Sequence, residues 1–524
     1  MGNFASYIVG YARADDQGKM AGEMGIEAYY EDQLKGTNGY IEYQQDNYGY
    51  QIPNTRSYEV PAVKGKDIYL TIDSDIQMLL ENAMNTISSA ASMSWGTISI
   101  IDGKTGAILG STSNPSFNPN DLNIASYLNP LVAYQYEPGS TMKIFSFLAA
   151  MENGLYNGSD TYQSGTIAVA DAIIQDFNNG KGWGTITFDE GFARSSNVAA
   201  TTLSLKLGGD KLSAFYKKAG FGSKTGITLP GEVSGAVSFK YKTEIATASF
   251  GQGLATTPIQ TLQAATILTN DGIMVKPYIV QKIVDSDTNK TIYTSTRTEL
   301  GRVASSANIK KMQSLMKDVV EQNYTDAHYY LPSNVELMGK TGTSQISDPN
   351  GGYLTGKNDY IRSFIGVFPA DDPQYIVYLS FKQYTGAYST IAKSIKSVIE
   401  EIAKNKNLTN NNQGTDVNSI INLSSYFSQD TQKSVKMLEN IKVKPIVLGS
   451  GTTIVNQYPK AGTTIVTGTK VYLITNENDY QMPNIIGWSA NEITTFCKLI
   501  DLDYKITGYG SVLETSIPEG TIID

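Results

Sequence analysis

The chain holds one cysteine and one histidine in 524 residues, and both scarcities exclude chemistry. Cys497 alone cannot close an internal disulfide or anchor a cysteine-rich zinc site. His328 alone cannot belong to a histidine-cluster metal centre, and it permits one Ser-His pairing at most. Any other serine nucleophile must find a different base. No run of about 18 apolar residues is present to cross a membrane, and no signal peptide opens the chain. The start, M-G-N-F-A-S, fits an N-myristoylation pattern on paper, but a trimmed start produces the same letters and is the reading taken. Basic tracts are missing as well. With a formal net charge of -9, nucleic-acid phosphates are excluded as the main partner.

What remains is ordinary globular material, 41% hydrophobic and 17% charged. At roughly 150 residues per domain the length implies several cores. Residues 1–60 are rich in Gly and Tyr, with alternating runs such as "NGYIEYQQDNYGYQI" that predict hairpins in an extended module. A compact domain begins near "KDIYLTI". There Ser74 to Gln77 reads as a capping box, and Ile76, Leu80, Ala83 and Ile87 share one helix face. Two strands around a turn follow at residues 95–113. Helical patterns dominate to about residue 325, then come "GKTGTS", the strands "SFIGVF" and "YIVYLSF", and a helix at 389–404. Strands at both ends of this segment predict one α+β domain whose sheet joins them. The Asn-rich stretch at 405–418 reads as a linker. Beyond it, "GSGTTIVNQYP" (449–459) and "GYGSVLETSIP" (508–518) repeat a pattern, each preceded by an amphipathic stretch. Two small helix-plus-strand units are expected, with Cys497 in the core of the second.

Three Lys-Thr-Gly triplets occur, at 104–106, 224–226 and 340–342. The first falls in a Gly turn. The third cannot be a phosphate-binding loop, because that would need Gly where Asn334 stands. It instead ends an apolar strand, where Lys340, Thr341 and Thr343 could face a carboxylate while Gly342 admits close approach. In "YEPGSTMKIFSFLAAMENG" a Pro-Gly turn precedes Ser140, which is expected to open a helix with Lys143 one turn on. A helix start stabilises an oxyanion, and a desolvated lysine can take a hydroxyl proton, so this pair needs no histidine. The bland alternative is a capping serine beside a solvated lysine. Ser314 and Lys317 repeat the spacing inside a helical pattern with no turn before it. Ser195 and Asn197 head another helix, but Ser306/Asn308 and Ser489/Asn491 match the same S-x-N pattern, so that signal alone decides nothing.

Taken in order, Ser140-x-x-Lys143, Ser195-x-Asn197 and Lys340-Thr341-Gly342 resemble the motif set of the penicillin-recognising acyltransferases. "YEPGSTMK", "FGQGLATTPIQ", "LTNDGIMVKP" and "GVFPADDPQY" resemble class B penicillin-binding proteins in particular, and "FGSKTGITLPGE" and "IDGKTGAIL" match that family outside its catalytic set. The C-terminal units resemble PASTA domains, and "FASYIVGYA" with "GEMGIEAYY" resembles part of the family's N-terminal module. The resemblance implies a multidomain α+β chain: a partial pedestal or dimerisation module (1–60), a transpeptidase domain with helices on both sides of an antiparallel sheet (61–404), a linker (405–420) and PASTA domains at 421–477 and, shortened, 478–524. It implies that Ser140 attacks a D-Ala-D-Ala stem peptide, that Lys143 takes its proton, and that Ser195 relays protons to the leaving amine. Asn197 would orient Lys143 and the substrate amide. Lys340, Thr341, Gly342 and Thr343 would bind the terminal carboxylate, and the backbone N–H groups of Ser140 and Thr343 would form the oxyanion hole. Ser196 stands where the commonest form of the second motif has Asp. No cofactor or metal is implied. The implied partners are peptidoglycan stem peptides, β-lactams that acylate Ser140, a SEDS-type glycosyltransferase and other division proteins. The implied place is the outer face of the cell membrane at the division septum, reached through an N-terminal helix not found in this sequence. Rival expectations are a D,D-carboxypeptidase or β-lactamase-like hydrolase, and a non-catalytic division scaffold or wall sensor.

Overall fold

A computed structural model of the chain describes residues 2–14, 16, 18, 20–408, 420–441, 443–466, 468–507 and 512–523. It divides into two units, 1–408 and 409–524.

The first unit is built around one five-stranded sheet. Helix α1 (Ser74–Ala90) precedes strands β1 (Trp95–Asp102) and β2 (Ile108–Asn114). The middle of the chain supplies α2 (Lys143–Glu152), the hairpin β3 (Thr166–Val169) and β4 (Ala172–Gln175), α3 (Asn197–Leu207) and α4 (Ser306–Glu321). The sheet is then completed by β5 (Met338–Gln345), β6 (Tyr360–Phe368) and β7 (Tyr375–Lys382), and α5 (Tyr388–Asn405) follows. Strand order is β5-β6-β7-β1-β2, antiparallel throughout, so the two ends of the segment meet at the β7–β1 pair. β1 and β6 read as almost continuously buried rather than alternating, because helices cover both faces of the sheet. On one face Ile98 and Ile100 are fully buried, while Thr97, Ser99, Ser111 and Ser113 satisfy one another. The Tyr330 ring stacks on Phe364 with centroids 3.7 Å apart.

Several local expectations need correction. The cap of α1 is Asp73, one residue ahead of the expected Ser74: its Oδ1 accepts from the N–H groups of Asp75 (3.0 Å) and Ile76 (3.1 Å). A carboxylate already placed before the helix outcompetes the hydroxyl that follows it. The N-terminal residues are not all hairpins. Short helices lie at Ser6–Val9, Gly25–Tyr29 and Glu31–Leu34, beside strand pairs Tyr11–Ala14 with Met20–Met24 and Tyr40–Glu42 with Tyr58–Val60. Ala5, Ile8 and Ile26 belong to the large core, and the Ala5 N–H donates to the buried Glu81 carboxylate. The stretch up to residue 325 also holds strand pairs at 161–187 and 273–302, where short β-branched runs sit between Gly turns.

Helix α5 ends at Asn405, Lys406 pairs with Asp73 at 2.7 Å, and Leu408 packs against the large core. Of the expected linker, residues 409–419 lie outside the described residues.

In the second unit α6 (Thr431–Asn440) packs on a sheet of β8 (Lys444–Leu448), β9 (Ile454–Tyr458) and β10 (Lys470–Thr475), in the order β8-β10-β9. The second repeat has α7 (Ala490–Leu499) and the strand pair Tyr480–Gln481 with Ile522–Ile523. Cys497 is buried there, beside Trp488 and Phe496. The repeat's Gly508 to Ser511 lie outside the described residues.

Because α5, Lys406 and Leu408 are tied to the first unit, a chain ending at Leu408 is expected to fold alone. In calorimetry its transition should match one transition of the full chain to within about 3 °C. Loss of cooperative unfolding would show that the second unit completes the first core.

Candidate active site

The turn that carries Ser140 is shaped by its neighbours. Gly139 has φ +61°, and Ser140 lies in a single 3₁₀ turn, Gly139–Met142, with α2 starting only at Lys143. The expected helix start at Ser140 is therefore replaced by a tighter 3₁₀ turn, of the kind common at α-helix N-termini. This turn is pressed against β5. A Cβ on Gly342 would lie 2.3 Å from Ser363 Oγ and 2.9 Å from the Pro138 carbonyl, and one on Gly139 would lie 2.8 Å from the Thr343 carbonyl. Ser344 Oγ donates to the Glu137 carbonyl (2.6 Å) and Ser363 Oγ to the Pro138 carbonyl (3.2 Å). Glycine at 342 is thus required for the serine turn and the triplet strand to touch.

Two lysines converge beyond the turn, and both are fully buried. Lys143 Nζ lies 2.9 Å from Ser140 Oγ, 2.6 Å from the Ser195 carbonyl, 2.7 Å from Asn197 Oδ1 and 3.3 Å from Ser195 Oγ. Burial, and then the positive charge of Lys340, hold its pKa well below the usual lysine range. A neutral amine has two N–H donors and one lone pair. Here the donors go to the Ser195 carbonyl and Asn197 Oδ1, which leaves the lone pair for the Ser140 hydroxyl. The Asn197 amide is oriented for this by donating Nδ2–H to the Gln175 carbonyl (2.8 Å) at the end of β4. Lys340 Nζ donates to Ser195 Oγ (2.8 Å) and the Thr341 carbonyl (3.1 Å), and burial brings its pKa down to about 7. Ser195 Oγ therefore bridges the two amines.

Ser195 adopts φ +56°, a left-handed conformation that costs on the order of 1–3 kcal/mol in a non-glycine residue. Its surroundings hold it. Ser195 N–H donates to the Phe192 carbonyl (3.0 Å) and Ser196 N–H to the Gly191 carbonyl (2.8 Å), and Ser196 Oγ caps α3 at the Ala199 N–H (3.1 Å). Asp176, 1% exposed, fastens this loop to the β3–β4 hairpin. It accepts from Ser196 Oγ (2.8 Å), the Val198 N–H (3.1 Å) and the Gly165 N–H (2.8 Å). Nothing in the sequence singles out this aspartate, because it stands 20 residues from the serine it holds.

Ser140, Ser195, Asn197, Thr341 and Thr343 open together on one cavity of about 450 Å³, with Phe177, Trp183, Arg194 and Tyr324 on its walls. A cleft of about 520 Å³ between the N-terminal module and the strand at Val280–Asp285 is as roomy, but its Lys64 and Lys66 are paired with Asp287 and Asp285, so it holds no free base. The other triplets serve turns. Asp102 Oδ1 accepts from the N–H groups of Lys104 and Thr105, and buried Glu232 accepts from Thr225 and the Gly226 N–H. Ser314 and Lys317 lie within α4, with Lys317 bound to Glu336 at 2.7 Å.

Comparison with known proteins agrees with this geometry. Residues 96–405 match the family described as penicillin binding protein transpeptidase domain, residues 3–70 the penicillin-binding protein dimerisation domain, and residues 428–477 the PASTA domain. Stage V sporulation protein D of Bacillus subtilis is 32% identical over 500 residues, which span 91% of this chain and 75% of that protein. Penicillin-binding protein PbpB of Mycolicibacterium smegmatis is 30% identical over 389 residues, 72% of this chain and 59% of that one. The crystal structure of penicillin binding protein 2X from Streptococcus thermophilus superposes with a TM-score of 0.70 at 28% identity, covering 99% of this chain and 80% of that one.

The roles the family resemblance implies set opposite pH demands on the two lysines: a base at Lys143 must be neutral, and a carboxylate clamp at Lys340 must be charged. Acylation of Ser140 by a carboxylate-bearing electrophile is expected to fall as pH rises through about 7, where Lys340 loses its proton. Stopped-flow rates across pH check this. An electrophile without a carboxylate should lack the alkaline fall, and an identical fall for both would remove the assignment to Lys340.

Proposed function

Since the chain belongs to the penicillin-binding protein transpeptidases, with 96–405 matching the family and 32% identity across most of its length to a curated member, we propose that it works through the two-lysine site around Ser140. The protein is a penicillin-binding serine transpeptidase that cross-links peptidoglycan stem peptides, and it acts outside the cytoplasm. The observation that carries the site assignment is the 2.9 Å approach of a fully buried lysine amine, its pKa lowered by burial, to Ser140 Oγ.

In this reading the donor stem ends in D-Ala-D-Ala, and its terminal carboxylate is held by Lys340, Thr341 and Thr343. Ser140 Oγ attacks the penultimate carbonyl while Lys143 takes the hydroxyl proton. The backbone N–H groups of Ser140 and Thr343 stabilise the oxyanion, and the approach of Gly139 to the Thr343 backbone supports that pairing. Ser195, bridging the two amines, passes a proton to the departing D-Ala. The amine of a neighbouring stem then attacks the acyl-enzyme. A β-lactam mimics the donor and leaves Ser140 acylated. The dimerisation-domain match and the two C-terminal repeats support placing the protein among division-type enzymes at the septum, working with a SEDS-type glycosyltransferase. The match to the PASTA family covers the first repeat, and the shared pattern supports the second as a further copy.

Intact-mass spectrometry after incubation with benzylpenicillin tests the reading. One stable adduct is expected, mapped to Ser140 and absent from Ser140→Ala. Rapid drug turnover without an adduct would favour a hydrolase, and a folded, unmodified protein would favour a scaffold. Asn197→Ala frees one Lys143 N–H and unties the amine, so acylation should slow by roughly 10²–10³-fold, the usual scale for a lost positioning group. An unchanged rate would show that Asn197 does not orient Lys143.

A further inference from the structure

The cavity over Ser140 is short of negative charge. Its charged lining residues are Arg194 and Asp326. Arg194 is committed elsewhere: its Nε donates to Glu190 at 2.7 Å, and its guanidinium lies between the rings of Trp183 (5.4 Å) and Tyr324 (4.2 Å). That stack fixes the loop at residues 322–326 over the cavity. Thr325 Oγ1 anchors the same loop by donating to the carbonyls of Val319 (2.6 Å) and Gln322 (3.0 Å). Asp326 follows as the first residue of a short 3₁₀ helix, Asp326–Tyr330. It is exposed, and no hydrogen bond or ion pair occupies its carboxylate among the described residues. A fixed loop thus presents one uncommitted carboxylate to a site whose charged Lys340 repels cations.

The position of Asp326 matters as much as its charge. It lines the same cavity as Thr341 and Thr343, the residues on either side of Gly342, and its negative charge partly opposes the effect of burial on Lys340. An incoming amine must approach along the path the departing amine took, since the two steps are each other's reverse at the same carbonyl. A primary amine acceptor with a pKa of about 10.4 arrives as an ammonium at neutral pH.

We propose that Asp326 is the specificity residue for the acceptor, drawing a cationic side-chain amine to the Ser140 acyl-enzyme ahead of water and of neutral nucleophiles. The inference rests on the transpeptidase reading above. Asp326 takes no proton in it. The ammonium gives one proton to solvent, and its nitrogen forms a bond to the acyl carbon as the carbon–Oγ ester bond breaks. A second proton passes from nitrogen to Ser140 Oγ through Lys143. The net products are an amide, the free serine and one released proton.

The test uses the full chain, an N-acyl-D-alanyl thioester as donor, and two competing acceptors. Nα-acetyl-lysine amide is cationic at neutral pH and hydroxylamine is uncharged. The ratio of lysine adduct to hydroxamate is expected to drop roughly five- to twenty-fold in Asp326→Asn, the scale of one charge acting across several ångströms of partly screened space. The wild-type ratio should also shrink as salt rises, and Asp326→Glu should restore most of it. An acyl-enzyme that forms normally with an unchanged ratio in Asp326→Asn overturns this inference alone. A parallel loss of both products, with the ratio kept, overturns it too, since it marks a structural role. No acyl-enzyme in the wild type overturns the transpeptidase reading and this inference with it.

Discussion

Two ammonium groups buried side by side repel each other and lose their hydration, and the site depends on how that conflict is resolved. Lys143 and Lys340 are fully buried and joined through Ser195 Oγ. Neutralising one of them relieves both desolvation and repulsion. The surrounding oxygens select which one. Lys143 faces the Ser195 carbonyl and Asn197 Oδ1, which occupy the two N–H groups of a neutral amine and leave its lone pair toward Ser140. Lys340 Nζ bonds to a hydroxyl and to its neighbour's carbonyl, two partners that suit a charged ammonium with a third N–H. On the proposed reading one residue type thereby supplies a base and a carboxylate clamp in adjacent positions, and neither role calls for a histidine.

Holding that arrangement requires backbone contacts that side chains would prevent. Gly139 and Gly342 let the serine turn rest on the edge strand β5, so the nucleophile and the carboxylate clamp keep a fixed spacing. The third element, the Ser195 loop, is the strained part. Its left-handed serine persists because two backbone hydrogen bonds and the buried Asp176 carboxylate determine its position from outside. Each hydrogen bond to a buried carboxylate contributes about 1.5–3 kcal/mol, enough together to exceed the backbone strain.

This division explains what could be read from sequence. Ser140 and Lys143 were legible because a Pro-Gly turn and a three-residue spacing are local. The functional triplet was legible only through the order of three motifs, since Lys104 and Lys224 head the same letters. In three dimensions the difference is physical: Gly342 meets the Pro138 carbonyl, whereas Thr105 and Thr225 bond to turn carboxylates. Asp176, Arg194 and Tyr324 gave no signal, because their roles arise from contacts between elements far apart in the chain. Similarly, the sheet's end-to-end closure followed from hydrophobic pattern, but the N-terminal helices did not. Those segments are short, and their apolar residues, Ala5, Ile8 and Ile26, are placed by docking into the large core rather than by periodicity.

The same carboxylate inventory bears on the choice between cross-linking and hydrolysis. Water reaching an acyl-enzyme needs a base held over the ester, whereas an amine brings a better nucleophile of its own. Asp176 has one oxygen taken by Ser196 and Val198 of the loop it fastens and the other by the Gly165 N–H, and Glu190 is bound to Arg194. Glu137 faces Tyr353 and Ser347 on the far side of the serine turn, where burial pushes its pKa up. Asp326 is the carboxylate that lines the cavity among the described residues, beside Thr325. None of these stands as a second base over Ser140. On the proposed reading Lys143 is the base in both half-reactions, and the better nucleophilicity of an amine then favours acyl transfer over release to water.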